Sequence, residues 1–336
     1  MRLFIISNEL ISNKNDQFYC DNVDLKSIPE EFSKKAEVIL VGRYSKKDRT
    51  KLININNKNI KKFDNIFSYL YFLIKNFNKN SIYLIISITP YTFLGCILIY
   101  LRGTKPFLYL RSDGFKEYEI IMGSIGYYVY SLMFYILSKL CKLIACEKSL
   151  LRNNNGEIVY PSEIDNRWFA NRSTPNLESP NILYVGRMRN EKGIFSLINI
   201  IKSINEKIFL TIATSENYNF NNTENINLVT VKDSIDNLIK VYDECNITIL
   251  PSFTESYPKV VDESLSRLRP VIIFDEISHI LNNRFGIFVC KRSSQELLTL
   301  INKIILNYDS ICKKILNNNF STKENFFKKF NNILNI

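Results

Sequence analysis

The sequence contains one histidine, His279, so a Ser-His-Asp triad or a histidine-ligated metal site would rest on that residue alone. Glycine (10) and proline (9) are scarce, which excludes collagen-like or low-complexity architecture. No Asp-x-Asp triplet occurs, and the seven cysteines (20, 96, 141, 146, 245, 290 and 312) are odd in number with no Cys-x-x-Cys spacing. A zinc framework is therefore absent, and several cysteines sit in apolar runs as free buried thiols do. That usage suits a reducing cytoplasm. The first residues, MRLFIISNEL, are apolar for too short a run to be a signal-peptide core and read as a strand.

What is present is enough for two domains: 336 residues, 46% hydrophobic, with 23 Phe and 19 Tyr. The formal charge is +11. Residues 1–150 hold +9 of it, residues 151–300 hold −2 and residues 301–336 hold +4. An excess placed in one half implies an acidic partner for that half.

Short apolar runs alternate with longer helical ones. Strands are expected at 2–7, 37–42, 82–88, 106–110 and 142–146, with helices at 63–76, 92–102 and 122–139. Asn8, Glu9 and a loop over 10–22 follow the first strand. Residues 151–180 are polar, with three successive Asn and three Pro, and read as a short strand (157–160) followed by a linker. A second alternating block has strands at 182–186, 207–213, 227–231, 246–250, 270–274 and 286–290. Its helices are expected at 193–204, 234–243, 257–268 and 295–306, and an aromatic, basic tail at 320–335 reads as a terminal helix. Apolar strands alternating with helices indicate parallel sheets covered on both faces, an α/β class. The expected domains are 1–160 and 161–318, with a helix over 319–336 that packs back on the first. Two Rossmann-like domains facing across a cleft would bind ligands at the carboxyl ends of their strands.

Two uncharged stretches are about as long as a membrane span: 81–101 and 120–138. Pro90 divides the first into strand, loop and helix. The second carries Tyr127, Tyr128, Tyr130 and Tyr135. It fits a core helix, a helix lying in a membrane surface, or a span.

Two constellations carry chemistry. In ILYVGRMRNEKG (182–193) a strand ends at Gly186, Arg187 and Lys192 follow, and Gly193 opens a helix. A close backbone, free helix amides and two cations make a diphosphate site; an exposed basic turn is the bland alternative. In ILPSFTESYPKVVDESLSRLRPVIIF (249–274), seven residues separate Glu255 from Glu263, and Pro258 suits a helix start. Two carboxylates there can accept hydrogen bonds from sugar hydroxyls; a capping and a solvated glutamate would look the same.

Together these segments resemble the family 4 glycosyltransferases of the GT-B fold. The residues are YVGRMRNEKG (184–193), LPSFTESYPKVVDES (250–264) with the E-x7-E spacing, the following PVIIF, and IVYPSEID (158–165). The likeness is strong over 158–310 and architectural before it. It implies that Arg187 and Lys192 bind the diphosphate of a nucleotide sugar, a UDP-sugar by base rate, and that Glu263 holds the ribose. Glu255 would contact the donor sugar, while Gly186, Ser256, Tyr257 and Pro258 bring the backbone close to it. It further implies a retaining, metal-independent transferase without a cofactor, acting on a lipid-linked, lipopolysaccharide or capsule glycan. The sequence departs from the family where a histidine usually follows an N-domain strand. FLYLRSDGF (107–115) stands there, and Asp113 is the expected sugar or acceptor contact, although Asp-Gly is also a turn signal. His279 reads as a loop residue and Trp168 as a packing one. The cationic first half suits an anionic membrane surface on the cytoplasmic side. No nucleic-acid module is recognisable. An epimerase or hydrolase of the same fold would lean on acid-base histidines that are missing here. A non-catalytic partner protein should have lost some of Arg187, Lys192, Glu255 and Glu263.

Overall fold

The computed structural model describes residues 1–47, 53–216, 218, 223–231 and 234–336. The chain forms two units, Met1–Pro161 with Glu324–Ile336, and Ser162–Lys323. Unit 1 comprises β1 (Arg2–Lys14), β2 (Gln17–Cys20), α1 (Val23–Phe32), β3 (Glu37–Tyr44), β4 (Ile53–Asn54), β5 (Ile60–Phe63) and α2 (Ile66–Lys75). It continues through β6 (Ile82–Ile86), α3 (Pro90–Leu101), β7 (Phe107–Leu110), α4 (Gly114–Leu140), β8 (Lys142–Ala145) and β9 (Gly156–Ile158).

Its parallel strands run in the order β5-β3-β1-β6-β7-β8-β9. Leu3, Phe4, Ile5 and Ile6 are wholly buried, as continuous apolar strands covered on both faces must be. Right-handed crossovers then put α2, α3 and α4 on one face of the sheet and α1 on the other. The terminal helix α10 (Lys323–Leu334) joins α1: Phe330 meets Phe32 at 5.5 Å between ring centroids, and Tyr109 at 5.1 Å.

Three features differ from expectation. The presumed loop 10–22 is a hairpin, because β1 runs on to Lys14 and pairs antiparallel with β2. Asn15 and Asp16, at φ 51° and 59°, make the two-residue turn with positive φ that suits the twist of paired strands. Helix α1 went unforeseen; Asn22 caps it by accepting from Asp24 N, and Pro29 lies inside it. The helix expected at 122–139 begins at Gly114 and is interrupted at Gly123.

Unit 2 comprises β10 (Asn181–Val185), α5 (Ile194–Lys202), β11 (Phe209–Thr214), β12 (Ile226–Thr230), α6 (Ile235–Asp243), β13 (Ile247–Leu250) and α7 (Lys259–Ser266). Then follow β14 (Val271–Phe274), β15 (Ile287–Cys290), α8 (Ser294–Leu306) and α9 (Tyr308–Ile315). Its six strands are parallel in the order β12-β11-β10-β13-β14-β15. This is the dinucleotide-fold order, whose switch point lies between β10 and β13. The polar segment after Ser162 is not a free linker. Buried Arg267 donates to the carbonyls of Trp168, Ala170 and Asn171 and to Asp243, while buried Arg269 reaches the Ser173 carbonyl. Trp168 is itself buried, edge-on to Tyr242.

Phe330→Ala should lower the stability of unit 1 by about 3–5 kcal/mol, since it empties a wholly buried aromatic site. Denaturant unfolding of the variant measures this.

Candidate functional site

In unit 2 the strand order diverges at β10 and β13, so the loops that leave their carboxyl ends border one crevice. The first loop is 186–193. The Gly186 amide donates to Ala213 O at 3.0 Å, and the buried Tyr184 hydroxyl donates to the Arg187 carbonyl at 2.6 Å. A β-carbon on Gly186 would come within 2.6 Å of that hydroxyl. The Met188 amide donates to the Glu216 carboxylate. The Arg187 side chain is half-buried, and its guanidinium has no hydrogen bond among the described residues.

Gly193 ends the loop in the left-handed region, φ 67°, and α5 starts on the next residue. A β-carbon there would lie 1.8 Å from the Pro251 carbonyl oxygen, so glycine is required for conformation and for approach alike. The free amides of the first turn of α5 therefore open beside the second loop, 251–258.

The two loops are joined. Phe253 N donates to Glu191 O at 3.1 Å, and Lys192 Nζ lies 2.6 Å from Glu255 Oε1. Ser252 Oγ donates to the same carboxylate oxygen at 2.7 Å. The Glu255 backbone carbonyl accepts from His279 Nε2 at 2.8 Å, which places the lone histidine as a support of the loop. The turn residue Ser256 is buried, and Tyr257 donates to the carboxylate of Asp262, itself paired with Arg284 at 2.6 Å. Pro258 is the extended N-cap of α7 rather than its first helical residue, φ −76° and ψ 114°.

Glu263 sits one turn into α7, buried, and accepts from the Tyr242 hydroxyl at 2.9 Å. Burial pushes its carboxyl up to about 7, against the opposing pull of the Tyr242 hydrogen bond and of Lys259. Asp113 lies in the other unit. It caps α4 by accepting from Phe115 N and pairs with Arg152 at 3.2 Å. The structure thus brings Lys192 and Glu255 into direct contact and sets Gly186, Arg187, Ser256, Tyr257 and Pro258 on the same two loops. Glu263 points to Tyr242, and Asp113 is held by its own cap and ion pair.

Sequence reasoning missed Arg292. It follows β15, is stacked between Phe253 and Phe274 at 4.2 and 4.3 Å, and donates to Pro251 O at 2.9 Å and to Glu276 at 2.8 Å. Its place just past a strand's carboxyl end was the one available signal. Among the described residues, no group of three or more His, Cys, Asp or Glu could hold a metal ion.

Two measurements check this geometry. Gly193→Ala should destabilise unit 2 by about 2 kcal/mol or more in denaturant unfolding, since it adds strain and a clash with backbone. Glu263 holds its proton longer in the folded state than in the unfolded one. Stability should therefore fall as pH rises from about 4.5 to about 7 and level off above. Glu263→Gln should flatten that part of the melting-temperature profile.

Residues 179–307 match the family model described as glycosyl transferases group 1. A search of the curated proteins gives no match. Among solved structures, the chain is similar to sucrose-phosphate synthase from Thermosynechococcus elongatus, with TM-score 0.69, 12% identity, and coverage of 100% of this chain and 98% of that one. It is similar to HepE of Anabaena in complex with UDP, with TM-score 0.65, 10% identity and full coverage of both chains. The lipopolysaccharide outer core galactosyltransferase WaaB matches with TM-score 0.58, 12% identity, and coverage of 99% and 98%. The fold is thus GT-B, with two Rossmann-like sheets, and the segment holding both loops of the candidate site matches a glycosyltransferase family model.

Proposed function

We propose that this chain is a retaining glycosyltransferase of the family 4 type. It moves a sugar from a nucleotide diphosphate sugar, a UDP-sugar, to a lipid-linked, lipopolysaccharide or capsule glycan on the cytoplasmic side of a membrane. The observation that carries the reading is the Lys192–Glu255 pair, made by the two loops that border the β10/β13 crevice.

In this reading the donor diphosphate lies between Arg187, Lys192 and the first amides of α5. Those charges offset the negative charge that grows on the leaving nucleoside diphosphate as its bond to the anomeric carbon breaks. Glu255 holds the ammonium of Lys192, and Ser252 donates to the same carboxylate oxygen and fixes it. An arriving phosphate competes for that ammonium, and the released carboxylate becomes an acceptor for sugar hydroxyls. The amides of Ser256 and Tyr257 serve the sugar and the distal phosphate, while Pro258 has no N–H and sets the turn. Glu263 accepts from the ribose, a task for its ionised form. Asp113 is the acceptor-side carboxylate of unit 1, oriented by Arg152. The acceptor oxygen bonds to the anomeric carbon on the face from which the phosphate oxygen departs, and its proton passes to that departing phosphate oxygen. HepE, whose solved complexes contain UDP and UDP-glucose, supports the choice of donor. WaaB, named for lipopolysaccharide outer core, supports the class of acceptor.

Titration calorimetry with UDP and UDP-sugars tests the reading. Arg187→Ala and Lys192→Ala should each weaken UDP binding about tenfold or more, as loss of a charge-assisted phosphate contact does. Unchanged affinity in both would overturn the assignment. Affinity of the unaltered protein should rise with pH through about 7, as Glu263 ionises.

A further inference from the structure

Helix α4 is not a single rod. Gly123 takes φ 65° and ψ −155°, outside the helical region. Phe115 packs against Tyr127, Tyr130 and Phe134 at 5.6, 4.9 and 5.3 Å between centroids. In a straight helix Phe115 and Phe134 would stand about 28 Å apart. The arm 114–122 therefore folds back on the arm 124–140. Gly126 makes room for the reversal, since a β-carbon there would lie 2.1 Å from the Tyr118 carbonyl oxygen. The result is a helical hairpin that springs from the carboxyl end of β7.

Its bend is apolar and bare: Ile120, Ile121, Met122 and Ile125 are 67%, 75%, 51% and 70% exposed. The second arm buries Tyr130, Met133, Phe134 and Leu137 and turns Tyr128, Leu132 and Tyr135 outward, in line with Ile125 at helical spacing. Helix α3 packs beside α4 and α2 beside α3. Their outward faces show Leu94 and Leu101, and Phe67, Tyr71 and Ile74. Scattered exposed apolar residues are ordinary; a continuous sheet of them over three adjacent helices is not. At the carboxyl ends of these helices stand exposed Lys75, Lys79, Arg102, Lys105, Lys139 and Lys142, with no acidic residue in 75–82, 101–106 or 139–142.

We propose that unit 1 docks on an anionic lipid bilayer through the outward face of α2, α3 and α4. The bend at residues 120–125 enters the acyl boundary, the outward tyrosines sit at headgroup level, and the cationic ends of the helices meet anionic headgroups. Apolar side chains bordered by wet tyrosine hydroxyls, with cations at the carboxyl ends of the helices, match the layering of a bilayer interface, whereas a second copy of the chain would have to bury those hydroxyls. A span is excluded by geometry. The chain reverses at Gly123, and both ends of α4 return to neighbouring strands of one sheet. This surface deepens the lipid-acceptor part of the proposed function and rests on it for its purpose.

Flotation with phosphatidylcholine vesicles, with and without phosphatidylglycerol, tests the surface. The protein should float with the anionic vesicles at low salt. The double change Ile121→Asp and Ile125→Asp should cut the bound fraction about tenfold. Replacing Lys75, Lys79, Arg102 and Lys105 with Gln should weaken binding to anionic vesicles specifically. UDP affinity, read by calorimetry, should be unchanged in both variants, and their circular dichroism and denaturant unfolding should match those of the unaltered protein, which shows that unit 1 folds. No flotation of the unaltered protein, or a dimer that Ile121→Asp converts to monomer, would overturn the proposal. Vesicle binding without UDP binding would keep the docking surface and overturn the glycosyltransferase reading instead.

Discussion

The candidate site depends on one close approach. Gly193 brings the start of α5 against the Pro251 carbonyl, a distance that no side chain tolerates. Everything else at the crevice is arranged around that contact. Phe253 N reaches back to Glu191 O, Lys192 reaches across to Glu255, and Arg292 donates to the same Pro251 carbonyl. Because β10 and β13 are neighbours whose connections leave in opposite directions, these two loops are the ones the sheet brings together without packing a helix between them. The ion pair is thus a product of topology as much as of sequence.

Support for that crevice comes from below. Arg267 and Arg269 are buried charges, and such groups are tolerated only when their donors are satisfied. Here the donors satisfy carbonyls of 168–173, a stretch with little regular structure of its own. One consequence is a well-held floor behind α7, where Tyr242 meets both Trp168 and Glu263. The high proton affinity of Glu263 follows from the same dryness.

Much of this was legible in the residues. Uninterrupted apolar strands such as VIIF and ITIL, separated by helical spacing, imply a doubly covered parallel sheet. Gly186, Arg187, Lys192 and Glu255 are local in sequence to a strand end and a helix start, so their placement follows from the rule for open α/β sheets. His279 could not be found that way, and Arg292 offered only its place past the end of β15. Each donates to a backbone carbonyl on a distant loop, a contact that leaves no periodicity behind. The same holds for the Asn15–Asp16 hairpin, which lacks the glycine that usually marks such turns, and for the reversal at Gly123, which hydropathy reads as one long apolar helix.

The chain passes between its two units twice, since residues 324–336 belong with 1–161. Phe32 and Phe330 touch across nearly the whole length of the sequence. Unit 2 is therefore an insertion, complete in itself, while unit 1 stays without its last packing layer until the final helix arrives. During synthesis the second unit can close its core first, although its partner begins to emerge earlier. Loss of the last dozen residues would leave unit 2 intact and uncover aromatic surface on unit 1, so damage at one terminus would be felt beside the other.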